Sequence, residues 1–201
     1  VLIAKIIMKA AVEHFTPVIL ELGSKSPVYI DEDANMDVVA RCITFGKIIN
    51  AGQTCVAPGY VLLTAKGEGK FHPCNEKSDR QFERLSKLLH ERESGEIAMG
   101  GESDERDLYM APTILTNVGR DDKIMEDETF GPILPVIRVS GVDDATEYIN
   151  SKNDPLVLYI FSDKKVTQKI MDSISSGEIL VNDILMHAAK GAMPFGGVGA
   201  S

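Results

Sequence analysis

The chain has 201 residues, 44% hydrophobic and 25% charged, an ordinary globular balance that leads us to expect one domain over residues 1–201. Thirty acidic against twenty-one basic side chains give a net charge of -9, which repels phosphate backbones and anionic lipid surfaces and argues against a nucleic-acid partner. Cys42, Cys55 and Cys74 are odd in number and suggest neither a disulfide framework nor zinc pairs, so a reducing, cytoplasmic setting is expected.

The opening "VLIAKIIMKAAVEHF" reads as a helix on which Lys5, Lys9 and Glu13 form a narrow polar stripe. It is shorter than the roughly 20 apolar residues a bilayer crossing needs, so no membrane segment is expected. Starting without Met and without an N-cap residue, the chain reads as cut from something longer. "PVILEL" (17–22) and "PVYI" (27–30) read as two β-runs split by the turn residues "GSKS". From 35 to 49, Asp37, Arg41, Thr44 and Lys47 fall on one stripe of a helix whose remaining circumference is expected to be buried. A strand follows at 60–64, an irregular stretch at 65–78, and an amphipathic helix marked by Phe82, Leu85, Leu88 and Leu89. Beyond "EIAMGG", strands are expected at 110–118, 132–139, 155–161 and 177–183, with helices at 142–151 and 164–175. Strand and helix alternating at this spacing predict an α/β fold, a mostly parallel sheet with helices on both faces.

Two residues stand out for chemistry. Free cysteines are most often small buried hydrophobes, and Cys42, inside an apolar helix, fits that description. Cys55 does not, because "NAGQTCVAPG" (50–59) sets it in a loop where Gly52 permits a tight bend and Pro58 ends regular structure. Glu21 is a carboxylate within an apolar run. Strand alternation puts it on one face with Ile19, and Gly23 lets another segment or a ligand come close. The pattern leaves open whether Glu21 is an exposed glutamate or a half-buried general base. His14, His72, His90 and His187 form no i, i+4 ligand pair, so no metal site is expected.

Taken with the intervening elements, "LELGSKSP" and "NAGQTC" resemble the aldehyde dehydrogenase superfamily, as do "MEDETFGPILPV" (125–136) and the closing "MPFGGVGAS". The flanking text, including "AKIIMKAAVEHFTPVILELG" and "PLVLYIFS", is most similar to the class 3, fatty aldehyde dehydrogenase-like branch. This resemblance implies oxidation of an aldehyde to a carboxylate with NAD or NADP, through a thiohemiacetal and thioester on Cys55, with Glu21 as general base. It implies cofactor binding by Glu128, a carboxylate suited to two adjacent ribose hydroxyls, and by Phe130 against the nicotinamide end. It also implies that the parent protein is a homodimer acting on a small-molecule aldehyde. "GGVG" lacks the strand-before, helix-after setting of a dinucleotide fingerprint and is assigned loop geometry.

Against the family pattern, Ser24 replaces the second glycine of E-L-G-G and adds a side chain where backbone and cofactor approach closely. A family helix between the strand at 60–64 and the helix near 82 is missing. The N-terminal cofactor-binding domain is absent, so the chain is expected to be a catalytic domain truncated at both ends, with little turnover of its own. Two alternatives remain: a non-catalytic interaction module presenting open strand edges, and a cysteine hydrolase pairing Cys55 with His187.

Overall fold

Side-chain alternation decides how the central strands sit. In β1 (Ser26–Ile30) and β2 (Pro58–Leu63) every residue is buried, so both faces of each strand must be covered. The alternate residues divide into two cores. Tyr29, Tyr60, Leu62 and Ile137 face one, and Val28, Ile30, Val61, Leu63 and Val136 face the other. The structure is a computed structural model that describes residues 1–65, 81–188 and 194–201.

Within those residues, α1 (Leu2–Glu13) precedes β1, and α2 (Met36–Ile48) connects β1 to β2. Then come α3 (Phe82–His90), β3 (Glu96–Met99), β4 (Ser103–Asp104), β5 (Tyr109–Met110), β6 (Thr113–Thr116) and β7 (Ile133–Arg138). The order closes with α4 (Val142–Asn150), β8 (Val157–Phe161), α5 (Lys164–Met171) and β9 (Glu178–Val181). Seven strands form one sheet in the order β3-β6-β7-β2-β1-β8-β9. All its pairings are parallel except β3 with β6, while β4 and β5 make a separate antiparallel ribbon. The first core takes Leu85 and Leu89 of α3, Tyr148 and Ile149 of α4 and Ile170 of α5. The second takes Val39 and Ile43 of α2, so helices cover both faces as the alternation predicts.

Three expectations need correction. "PVILEL" is not a strand: residues 16–25 carry no regular structure, and Ile19 is 81% exposed. Its apolar run has no sheet neighbour; the Leu20 carbonyl instead accepts from the Gly197 N–H at 2.9 Å. The second correction is α2, which is capped by Asn35 through the Asp37 and Val38 N–H groups but buries only Val39, Ile43, Gly46 and Lys47. Val38 and Phe45 are exposed, whereas Lys47, expected on the polar stripe, points inward. Third, α1 forms as expected but buries Ala4 alone, leaving Leu2, Ile3, Ile6, Ile7 and Val12 exposed. No helix among the described residues is long and apolar enough to cross a membrane. Cys74, His72 and most of the stretch 65–78 lie outside the described residues.

This division of surface and core is measurable by denaturant unfolding. Leu62→Ala, at a fully buried position, is expected to cost about 2–5 kcal/mol. Ile6→Ala on α1 is expected to change stability by no more than about 0.5 kcal/mol.

Candidate active site

The residues singled out in the sequence precede three adjacent parallel strands. Glu21 leads into β1, Cys55 into β2, and Glu128 and Phe130 into β7. Because β1, β2 and β7 are neighbours running the same way, their lead-in segments emerge side by side at one end of the sheet. The site therefore lies at the amino ends of the strands.

The Cys55 loop is built by a reversal after α2. Asn50, Ala51 and Gly52 take positive φ values of 53°, 52° and 70° in succession. Asn50 stabilises the bend, its Nδ2 donating to the Gln53 carbonyl at 2.7 Å. At Gly52 the need for glycine is double, since a Cβ there would lie 2.5 Å from the Gly131 carbonyl oxygen. The thiol loop thus docks by backbone on the segment that carries Phe130. On the other side, the Tyr159 hydroxyl donates to the Val56 carbonyl at 2.6 Å and holds the residue after the thiol.

Cys55 is half-buried beside the Glu21 carboxylate. Burial, then the Glu21 carboxylate as acceptor and as charge, pushes the thiol up to about 12, while the Val56 N–H opposes the rise. Burial and the carboxylate thus both disfavour the thiolate at rest. Glu21 is exposed, resting on irregular backbone against which the closing loop packs, for a Cβ on Gly196 would come 2.8 Å from Ile19 Cγ2. The GGVG loop geometry expected at 196–199 is what the structure has.

Glu128 lies half-buried beside a cavity of about 290 Å³ lined in part by Gly23, Ser24, Lys25 and Tyr60. Its carboxylate accepts the Ser24 N–H, and burial raises it to about 7 against the pull of that bond and of nearby lysines. A Cβ on Gly23 would lie 3.5 Å from Glu128 Oε2. Phe130 has φ 43°, and the kink is held by Arg84, which donates to the Thr129 carbonyl at 2.5 Å and to the Glu128 and Phe130 carbonyls at 3.4 Å. The Ser24 hydroxyl turns away from the cavity's carboxylate and accepts the Leu156 N–H at 2.8 Å.

Two lysines escaped the sequence reading. Lys25 Nζ donates to the Ile124 and Asp127 carbonyls and to Thr129 Oγ1. Lys47 Nζ donates to the Pro58 carbonyl at 2.9 Å. Burial lowers each to about 7. The only sequence signal was position: Lys25 follows Ser24 directly, and Lys47 is the last charge before the loop.

His187 is buried, its ring stacked on Phe195 and edge-on to Tyr159. Nε2 lies 3.2 Å from Glu178 Oε2 without hydrogen-bond alignment, and burial lowers the imidazole's pKa. It makes no hydrogen bond to Cys55, so the geometry of a thiol–imidazole hydrolase is not present. No cluster of three or more His, Cys, Asp or Glu among the described residues could hold a metal.

Fold and site together define a thiol-bearing α/β domain, and comparison with known proteins identifies its family. The Aldehyde dehydrogenase family profile matches residues 2–73 and 74–201, and the chain belongs to that family. Aldehyde dehydrogenase family 3 member A2 of Rattus norvegicus is 45% identical over 99% of this chain. The dimeric NADP-preferring aldehyde dehydrogenase of Mus musculus is 40% identical over the same share. The chain spans about half the length of these relatives, 45% and 48% respectively. Among solved structures, Staphylococcus aureus AldH in a substrate-bound state superposes with a TM-score of 0.87 at 38% identity, covering 99% of this chain and 48% of that one. The NAD+ complex of a Bacillus cereus aldehyde dehydrogenase gives 0.81 at 26% identity, covering 98% of this chain and 45% of the other.

Two substitutions check this geometry. Gly52→Ala is expected to destabilise the chain by about 2 kcal/mol or more, read by thermal or denaturant unfolding, because it strains φ and strikes the Gly131 carbonyl. Glu21→Gln removes both the anion and the strong acceptor that raise the thiol. The midpoint of Cys55 alkylation against pH should therefore fall by about one unit or more, and an unchanged profile would show that the carboxylate does not govern the sulfur.

Proposed function

We propose that residues 1–201 form the catalytic domain of a class 3-like aldehyde dehydrogenase, oxidising an aldehyde to a carboxylate with NAD or NADP. The observation that carries this reading is the nearness of the Glu21 carboxylate to the Cys55 thiol, which sets a nucleophile beside a base at the mouth of three strands. An aldehyde carbon is a poor hydride donor until a nucleophile has placed an oxyanion on it. Cys55 sulfur adds to the carbonyl carbon as its proton passes to Glu21, giving a thiohemiacetal whose oxygen can be met by the Cys55 backbone N–H. When bound, the nicotinamide supplies the hydride acceptor that makes a thioester possible. Glu21 releases that first proton to solvent, then takes a second from the water that attacks the Cys55 thioester and passes it to the departing sulfur, which restores the thiol while the acid product ionises to the carboxylate.

The residues present fit such a cofactor. Glu128 is a carboxylate fixed by the Ser24 N–H at the edge of a cavity, chemically suited to a vicinal diol, and Phe130 offers an aromatic face close by. The reading includes a reducing, cytoplasmic setting, supported by the free thiols Cys42 and Cys55, and a parent that pairs as a homodimer.

Hydrolysis of an activated aryl ester tests the thiol and base with residues described here. The expected result is slow turnover through an acyl-Cys55 adduct, abolished in Cys55→Ala and retained in His187→Ala. In Glu21→Gln the adduct should persist, with deacylation slower by about 100-fold. Turnover that survives Cys55→Ala, or that disappears in His187→Ala, would refute the assignment.

A further inference from the structure

Lys25 spans the site in a way that neither proposed chemical group does. Its ammonium lies 2.6 Å from the Ile124 carbonyl, 2.7 Å from the Asp127 carbonyl and 3.0 Å from Thr129 Oγ1. These three acceptors belong to one loop, about a hundred residues away in sequence. The stem reaches that loop by crossing the start of β2, where Gly59 makes room: a Cβ there would lie 2.9 Å from Lys25 Cγ. Beside this crossing, the register of β1 against β2 shifts between Ser26 and Pro27. Arg84 grips the same loop from α3 but does not reach the segment that carries Glu21. An aliphatic side chain would fill the same space without the cost of withdrawing a charge from water.

We propose that Lys25 is a positioning residue that ties the loop 124–130 to the base-bearing segment 21–25, so that Glu128 and Phe130 keep one geometry relative to Glu21 and Cys55. The proposal rests on the roles assigned above to those four residues. Three acceptors converge on one ammonium with three N–H donors, and a neutral amine has only two. Burial brings Lys25 to about 7, below its value in water, so closing the loop over it disfavours the proton and the tie strengthens as pH rises above 7. The charged groups that face Lys25 are Glu128 and Asp127 on the loop, Arg84 on α3 and Lys47 on α2. Glu126, Lys152 and Asp154 line the adjoining cavity. Glu128 titrates in the same window, so its effect must be separated from that of Lys25.

Amide hydrogen exchange of the full chain from pH 6 to pH 9, corrected for intrinsic base catalysis, makes the test. In the wild type, protection of residues 124–130 should rise from pH 7 to pH 9, while that of β1 and β7 stays constant. The step should persist in Glu128→Gln, moved to lower pH because an anion that favours the ammonium has gone. In Lys25→Met the loop should exchange about tenfold faster than wild type at pH 9, with no step. A loop that exchanges alike in all variants, or that gains protection only in parallel with β1 and β7, would overturn the tie. Should Lys25→Met fail to fold, the other two series decide, a step supporting the tie and a flat profile overturning it. Ester hydrolysis separates this proposal from the one beneath it: normal Cys55 turnover with an unresponsive loop removes the tie alone, whereas a responsive loop with no thiol turnover removes the proposed function and keeps the tie.

Discussion

Parallel pairing of β7, β2 and β1 is the constraint on which the site depends. A parallel strand needs a crossover to return the chain to its starting end, so each strand is entered from the same side. The three entering segments carry Glu21 and Lys25, Cys55, and Glu128 with Phe130, and strand adjacency brings them together despite their separation in sequence. The same topology directs the carboxyl end of α2 toward the site, which is why the chain reverses through three left-handed residues before the thiol. Open α/β sheets more often use the carboxyl ends of their strands. Here the lead-in loops hold the chemistry, and a loop can place a side chain wherever its anchors allow.

Charge at this end of the sheet is arranged in layers. Glu21 and Glu128 face outward around the half-buried sulfur, and Lys25 and Lys47 lie beneath them with their ammonium groups turned to backbone carbonyls. Burial lifts the carboxylic acid at 128 and lowers the lysines, so these groups lie closer in proton affinity than they would in water. The thiol is driven the other way, toward its protonated form, by burial and by the carboxylate beside it. A resting thiol of this kind resists adventitious oxidation and alkylation, because the thiolate is the reactive species. On the function proposed above, its proton is removed at the moment of attack, with the neighbouring carboxylate as acceptor.

Much of this architecture was legible in the sequence, for definite reasons. The alternation of strands and helices gave a parallel sheet covered on both faces, because double burial demands runs such as "YVLLT" and "PLVLYIF". "PVILEL" has the same composition and is not a strand. Apolar β-branched character reports a capacity to pair, and whether a partner lies alongside is a tertiary matter. Cys55, Glu128 and Phe130 were singled out through their motifs, and the structure brings their segments together. Lys25 and Lys47 were missed because a lysine in a turn or on a helical stripe normally reads as solvated. Only coordinates reveal that their acceptors are carbonyls contributed by distant segments.

The docking of Gly52 on the Gly131 carbonyl carries one further implication. Main chain touches main chain there, so the thiol's address is written in the backbone and owes little to the identity of surrounding side chains. Residues along the rim can be exchanged for bulkier or smaller ones, reshaping the approach for different reactants, while the sulfur stays where it is. Tolerance of that sort allows selectivity to drift between descendants of a common ancestor without the reacting centre having to be rebuilt each time.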